Sequence, residues 1–249
     1  MKALGSPTGL VVPMFSEAAA LFGRRGWSVT NGRRVRWHAT PGGGLLICTV
    51  SQPGPQNARA AARWLVRRGV RRLAVCGVAG GLHPALRAGD LVVADLLADL
   101  EASPPAMIPG TEGPCAVRVQ EKLSAGGLRI FCGTIASSPT IVPAKNDKAR
   151  LYRHWRALAV DMESAAVAAV AAQNGLPALV LRAVCDPQRH TLPKDLIDAL
   201  DAHGRIMPAR MAIRLLRRPQ LAGDLLQLGC SFVHAARTLQ RAWNAIEGI

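Results

Sequence analysis

Four ionisable residues in the second half of the chain have the types and spacing to do chemistry: Asp161 and Glu163 in VDMES, and Arg182 and Asp186 in LRAVCD. The first pair stands just before an alanine-rich stretch that reads as a helix, stopped by Asn174, Gly175 and Pro177. The run Leu179 to Val184 has the continuous apolar character of a buried parallel strand, which ends in Arg182 and Asp186. In open α/β sheets the carboxyl ends of strands face the ligand crevice, so an acid there is well placed to act on a substrate. Each residue also has a plainer reading, as a carboxylate complementing a helix dipole or half of an Arg–Asp surface pair, and only the rest of the chain decides between them.

Positioning these groups requires alternating strands and helices. Leu10 to Met14 reads as a first buried strand, Ser16 as the N-cap of a helix through Arg25, and Leu45 to Val50 as another strand. SQPGPQNA then turns into a helix over Gln56 to Arg72, in which Arg59, Arg63, Arg67 and Arg71 recur every fourth residue along one side. Leu73 to Cys76 is a strand running into GVAGGLHPALRAGD, whose glycines permit close backbone turns, and Leu91 to Ala94 starts the next strand. The proline-rich stretch Leu96 to Pro114 reads as loop, Arg129 to Ile135 as strand and Asp147 to Trp155 as helix. Beyond Asp186 the pattern becomes helical over Leu192 to Leu200, Ile206 to Arg217 and Leu221 to about Ala245. The expectation is one α/β domain of three layers, a central mixed sheet flanked by helices. Residues 1–200 would form the catalytic part and 201–249 a basic helical extension packed on it.

Composition narrows the class. A chain of 249 residues that is 49% hydrophobic can bury a full core. Cys48, Cys76, Cys115, Cys132, Cys185 and Cys230 form no CxxC pair and no metal-type cluster, which fits a reduced cytosol and predicts no metal. Pro13 and Glu17 interrupt the N-terminal apolar run, so neither a signal peptide nor a membrane span is expected. A net charge of +15 favours anionic surfaces, yet aromatics at 4% offer no stacking platform for nucleic acid.

SEAAAL at Ser16 to Leu21, the glycine turn ending in Asn57, GVAGGLHPALRAGD, and VDMES followed by LRAVCD together resemble the purine nucleoside phosphorylase and nucleosidase superfamily over Leu10 to Asp186. Within it, CDPQRHTLPKDLIDALDAHGRI and RRPQ followed by a long helix look like the hopanoid-associated phosphorylase branch. The resemblance implies a phosphorylase-like fold, cleavage of an N-glycosidic bond to adenine, and no cofactor beyond inorganic phosphate as co-substrate. It makes Asp186 the general acid toward the purine N7 and Glu163 the acceptor of the ribose hydroxyls, with Met162 packed on the sugar. Glu17 matches the glutamate that activates water in hydrolytic members. Arg182 matches an arginine that orients the nucleophile or a sugar oxygen, the backbone at Ile141 and Val142 the segment that reads the adenine edge, and Gly77, Val78, Ala79 and Gly80 the loop facing the nucleophile. Glu17 has a rival reading as a first-turn helix acid and Arg182 as a structural partner of Asp186, while Asp161 is assigned no role beyond structure.

The pattern departs from the phosphorylases at Val75 and Val78, where they carry an Arg and a Ser or Thr for phosphate. Apolar side chains cannot supply the charge-assisted bonds that a dianion needs, leaving backbone N–H groups and a basic residue such as Arg59 or Arg182. Ile141 stands where nucleosidases often place an aromatic, so the base would be held by apolar packing in a wider site. The branch implies adenosylhopane as substrate, cleaved to a ribosyl or phosphoribosyl hopane; a methylthioadenosine or S-adenosylhomocysteine nucleosidase and an inactive purine- or lipid-binding relative are the alternatives. From His203 to Ile249 there are seven arginines against Asp224 and Glu247, interleaved with leucines. Such helices lie on anionic membrane surfaces, here the inner face of the cell membrane, or pack on the core or another subunit of a homo-oligomer.

Overall fold

The structure, a computed structural model, describes residues 5–40, 43–111, 113–199, 201 and 207–246, with the side chains of 5, 6 and 113–115 outside the description. His203, Arg205, Ile206 and Glu247 of the C-terminal segment therefore lie outside the described residues.

The first half of the chain runs β1 (Gly5–Val12), α1 (Phe15–Phe22), β2 (Ser28–Thr30), β3 (Arg33–Ala39), β4 (Gly44–Val50), α2 (Pro55–Arg67) and β5 (Arg72–Gly81). It continues through β6 (Leu91–Asp99), β7 (Ala106–Pro109), α3 (Gly113–Ala125), β8 (Ile130–Ser137), α4 (Lys145–Trp155) and β9 (Ala159–Asp161). The last elements are α5 (Ser164–Gln173), β10 (Ala178–Asp186), α6 (Lys194–Ile197), α7 (Pro208–Arg217) and α8 (Leu221–Ile246). The strands form one mixed sheet in the order β10-β6-β8-β9-β5-β1-β4-β3-β2, with β7 paired to β6. A further parallel pairing of β10 with β5 closes β5, β10, β6, β8 and β9 into a ring. Helices cover both sides, so the expected α/β architecture with a central mixed sheet is observed.

One side of the sheet is covered by α2 and α5. Small residues allow α5 to pack closely: Ser164 to Ala168, Val170 and Ala171 are buried, leaving the helix little exposed surface. The other side is covered by α1 and by the second half of α8, whose Ala235, Leu239, Ala242, Trp243 and Ile246 join one core with Leu10, Leu46 and Leu181. Gly89 admits this helix: at φ +88°, an added Cβ would lie 2.2 Å from the ring of His234. The second half of α8 is thus part of the core.

Several boundaries differ from the sequence reading. The N-cap of α1 is Met14, not Ser16, and Gly23 at φ 78° ends the helix before Arg25. The hairpin β2–β3 was not expected, although its turn at Asn31 (φ 51°) and Gly32 (φ 73°) uses the Asn-Gly pair that suits two-residue hairpins. Helix α3, with Val119 and Leu123 buried one turn apart, was also missed. Within the supposed loop 96–114, β6 extends to Asp99 and β7 pairs with it. The arginine helix stops at Arg67, leaving Arg71 beyond it. The stretch Leu192 to Leu200 shortens to the four-residue α6.

Candidate active site

The parallel register of β5 and β10 sets Gly77 beside Arg182 and Gly80 beside Asp186, so the glycine loop and the two charged residues share neighbouring strand ends. Two separate buried charge clusters result, one around each end of Arg182 to Asp186.

The first surrounds Arg182, which is fully buried. Its Nε lies 2.7 Å from Asp161 Oδ2 and its Nη2 lies 3.2 Å from Glu163 Oε2. Asp161 also accepts the Ser137 hydroxyl at 2.6 Å, the Ser164 hydroxyl, and the Ser164 N–H at 3.3 Å. With Ser137 Oγ accepting the Ala165 N–H at 2.9 Å, the first donors of α5 are satisfied, so Asp161 caps the helix and anchors Arg182 at once. Glu163 accepts the Gly54 N–H at 2.9 Å, tying it to the turn that enters α2. Its carboxyl is raised by burial, a shift that Arg182 opposes.

Glu17 completes this cluster from α1. Its Oε2 accepts the Met14 N–H at 2.8 Å, closing the first turn, and its Oε1 accepts the Val78 N–H of the glycine loop at 2.7 Å. Burial lifts its pKa to about 7, against the Val78 N–H and Arg182, which favour the anion. Gly77 is required here: an added Cβ would lie 2.5 Å from Arg182 Nη1 and 2.8 Å from Glu17 Oε1. That Nη1 is buried and has no hydrogen-bond partner among the described residues. Burial alone would lower the Arg182 pKa, but Asp161, Glu163 and Glu17 hold it above the ordinary value.

The second cluster is smaller. Asp186 is buried and pairs with Lys148 of α4, which is itself fully buried. Burial raises the Asp186 carboxyl and Lys148 opposes the rise. Lys148 Nζ also lies 3.0 Å from the His190 carbonyl and 3.4 Å from that of Pro187. Further bonds between the same two stretches, Leu192 N–H to Pro143 O at 3.0 Å and Lys145 N–H to Thr191 Oγ1 at 3.4 Å, hold the segment after β8 against the loop that follows Asp186. Beside Asp186 a cleft is lined by Leu192 and Leu196 and, from α8, by Asp224 and Leu228.

Arg182 is therefore not the structural partner of Asp186 that its rival reading supposed; its carboxylate partners are Asp161 and Glu163. Met162 and Val142 are half-buried, Ile141 is exposed, and Val78, Ala79 and Gly80 line the strand end beside Asp186. Arg59, the other basic residue considered for the glycine loop, pairs with Glu101 at 2.9 Å. Sequence reasoning missed Lys148, which reads as one more basic residue on a solvated helix; only the placement of Asp186 distinguishes it. Among the described residues no cluster of His, Cys, Asp and Glu could hold a metal, and no helix is long and apolar enough to cross a membrane.

Comparison with known proteins agrees with this architecture. A 5'-methylthioadenosine/S-adenosylhomocysteine nucleosidase of Mycobacterium bovis is 33% identical over 176 residues, covering 57% of this chain and 69% of the relative. An aminodeoxyfutalosine nucleosidase of Campylobacter jejuni is 30% identical over 156 residues, covering 57% of this chain and 67% of the relative. The solved structure of futalosine hydrolase of Helicobacter pylori superposes with a TM-score of 0.75 over 97% of both chains at 20% identity, a likeness of fold. The model of the phosphorylase superfamily matches residues 6–217, from β1 through α7 and so across both charge clusters, and the chain belongs to that superfamily.

Proposed function

We propose that this protein is an N-ribosyl hydrolase that releases adenine from a nucleoside, with water rather than phosphate as nucleophile. The observation that carries the choice is the charge balance at Arg182: one buried guanidinium faces Asp161, Glu163 and Glu17, so its unpartnered Nη1 offers one N–H but no net positive charge to a phosphate dianion. The loop beside it offers Val78 where phosphorylases carry a hydroxyl. Water has no such requirement, and Glu17, with a pKa near 7, is suited to take its proton. Each Glu17 oxygen accepts one backbone N–H and keeps a lone pair free. Glu163, held by Gly54 and Arg182, would accept from the ribose hydroxyls and stabilise the oxocarbenium-like sugar. Asp186 would deliver the proton to N7, and the segment at Ile141 and Val142, tied to the loop after Asp186, would hold the base. The adenine assignment draws support from the methylthioadenosine nucleosidases among the relatives.

The test is to incubate the purified protein with methylthioadenosine and with adenosylhopane in detergent, with and without phosphate, and to follow adenine and the sugar product by mass. Free ribosyl product at the same rate in both buffers is the expected result. A phosphorylated ribosyl product would overturn the hydrolase assignment.

A second, finer reading favours the lipid nucleoside adenosylhopane, met at an anionic membrane surface. The cleft at Asp186 has apolar walls in Leu192, Leu196 and Leu228, and nearby α7 and α8 expose Leu216 (84%) and Leu226 (70%). Of the C-terminal arginines, Arg214 and Arg218 are paired with Asp195. Further positive charge is available from the stretch between Glu17 and Asp90, which holds twelve arginines, of which Arg59 is paired with Glu101, and no acidic residue. At the β2–β3 edge, Arg34 and its cross-strand neighbour Val29 (74%) are exposed on one face and Trp37 (47%) on the other, side chains that suit a lipid headgroup layer. Co-sedimentation with phosphatidylserine vesicles that falls as salt rises is expected; salt-independent sedimentation, or turnover of methylthioadenosine far above that of adenosylhopane, would remove this reading.

A further inference from the structure

Lys148 presents a contradiction that the proposed chemistry must resolve. A general acid needs a proton, yet an ammonium against its carboxyl favours the ionised form. If the purpose were only to tie α4 to the loop after β10, a neutral donor could bond the Pro187 and His190 carbonyls, and the desolvation of a fully buried cation would be avoided. The tie is instead made by a cation, and its third acceptor is the carboxylate placed as the acid.

We propose that Lys148 and Asp186 act as a single acid, in which the proton that reaches the purine N7 leaves through the Asp186 carboxyl and is replaced from the Lys148 ammonium. The inference rests on the hydrolase reading above. As the C1′–N9 bond breaks, its electron pair passes into the base and N7 gains a proton. Asp186 accepts one proton from Nζ and passes one on, ending with the charge it began with, while Lys148 goes from ammonium to amine. Water forms the new bond to C1′ and its proton goes to Glu17; as product leaves, Glu17 gives that proton to solvent and solvent returns one to Lys148. The pair is neutral before transfer and carries one negative charge after it, at the moment when the sugar carries a positive one.

The groups that face the pair are compatible with this exchange. His190 follows on the same loop and favours the Asp186 anion. Asp224 and Gln227 of α8 line the same cleft. The Cys185 thiol is pushed up to about 12 by burial, reinforced by Asp186, and stays neutral. Glu17 lies in the other cluster, where it can take the proton from water without competing for Lys148.

The experiment compares wild type, K148M and K148R on an adenine nucleoside and on 4-nitrophenyl riboside, whose leaving group needs no proton. K148M is expected to lose about 10²–10⁴-fold on the adenine nucleoside, the usual value of general acid help, while keeping its rate on the nitrophenyl riboside, which also certifies its fold. K148R keeps a cation but does not release its proton, so it is expected to stay slow on the adenine nucleoside. Wild-type rates for K148R would reduce Lys148 to a fixed charge, and equal losses on both substrates would make it structural; either overturns the relay. Failure of the hydrolase reading is separate and shows first in the wild type, as no cleavage of either riboside.

Discussion

The two ends of the Arg182 to Asp186 segment bury charge in opposite ways. At one end a single cation is crowded by Asp161, Glu163 and Glu17; at the other a single carboxylate meets one cation and shares it with two carbonyls. Burial raises carboxyl pKa values at both, so burial alone does not separate their roles. What differs is the stoichiometry. An arginine outnumbered by carboxylates holds them in place, while burial leaves Glu17 near 7, ready to accept a proton. A one-to-one Lys–Asp pair contains a proton that can leave. A site that must both take a proton from water and give one to a base needs both arrangements, held apart so that one does not neutralise the other.

The largest expected effect comes from disabling the giving end. Asp186→Asn should cost about 10²–10⁴ in turnover of an adenine nucleoside with little loss of ligand affinity, measured by steady-state kinetics beside equilibrium binding. Unchanged turnover would remove Asp186 as the acid. Breaking the other end should act on the fold instead. Asp161→Ala leaves Arg182 short of a partner and uncaps α5, and about 3–5 kcal/mol of stability should be lost in a denaturant titration. If the variant unfolds like wild type, the cluster is less tightly coupled than its distances imply.

A smaller effect separates the ends by pH. Glu17 acts as a base only when ionised, so kcat/KM should rise with pH, about tenfold per unit below its pKa, and level off above about 7. Glu17→Gln should abolish that limb. A limb that persists in Glu17→Gln would belong to another group.

How much of this was legible in the sequence follows from the same contrast. The strand carrying Arg182 and Asp186, the alanine-rich α5 and the glycine loop were readable because apolar runs and stop signals are local. The arginine's partners were not, because Asp161 and Arg182 meet only after β9 and β10 join the ring through β5. Lys148 was hidden for a further reason: on a helix with Lys145, Arg150 and Arg153, a lysine gives no sign that it points inward. The β2–β3 hairpin, by contrast, was legible and overlooked, since Asn31-Gly32 announces its own turn. Surface charge was counted from the sequence without its pairing, because the ion pairs of Arg214 and Arg218 to Asp195 are invisible until α6 and α7 pack.

The smallest expected effect bears on the nucleophile. If phosphate is refused only because the loop lacks a hydroxyl, Val78→Ser should create phosphate-dependent turnover. If it is refused because Arg182 is already surrounded by carboxylates, the added hydroxyl supplies one neutral donor and no charge, and the ratio of free to phosphorylated ribosyl product should not change. The excess of carboxylates over cations in the cluster favours the second outcome. A phosphorylated product from Val78→Ser would mean that Arg182 can leave its carboxylates for a better anion, and the two ends of the site would then differ in mobility as well as in stoichiometry.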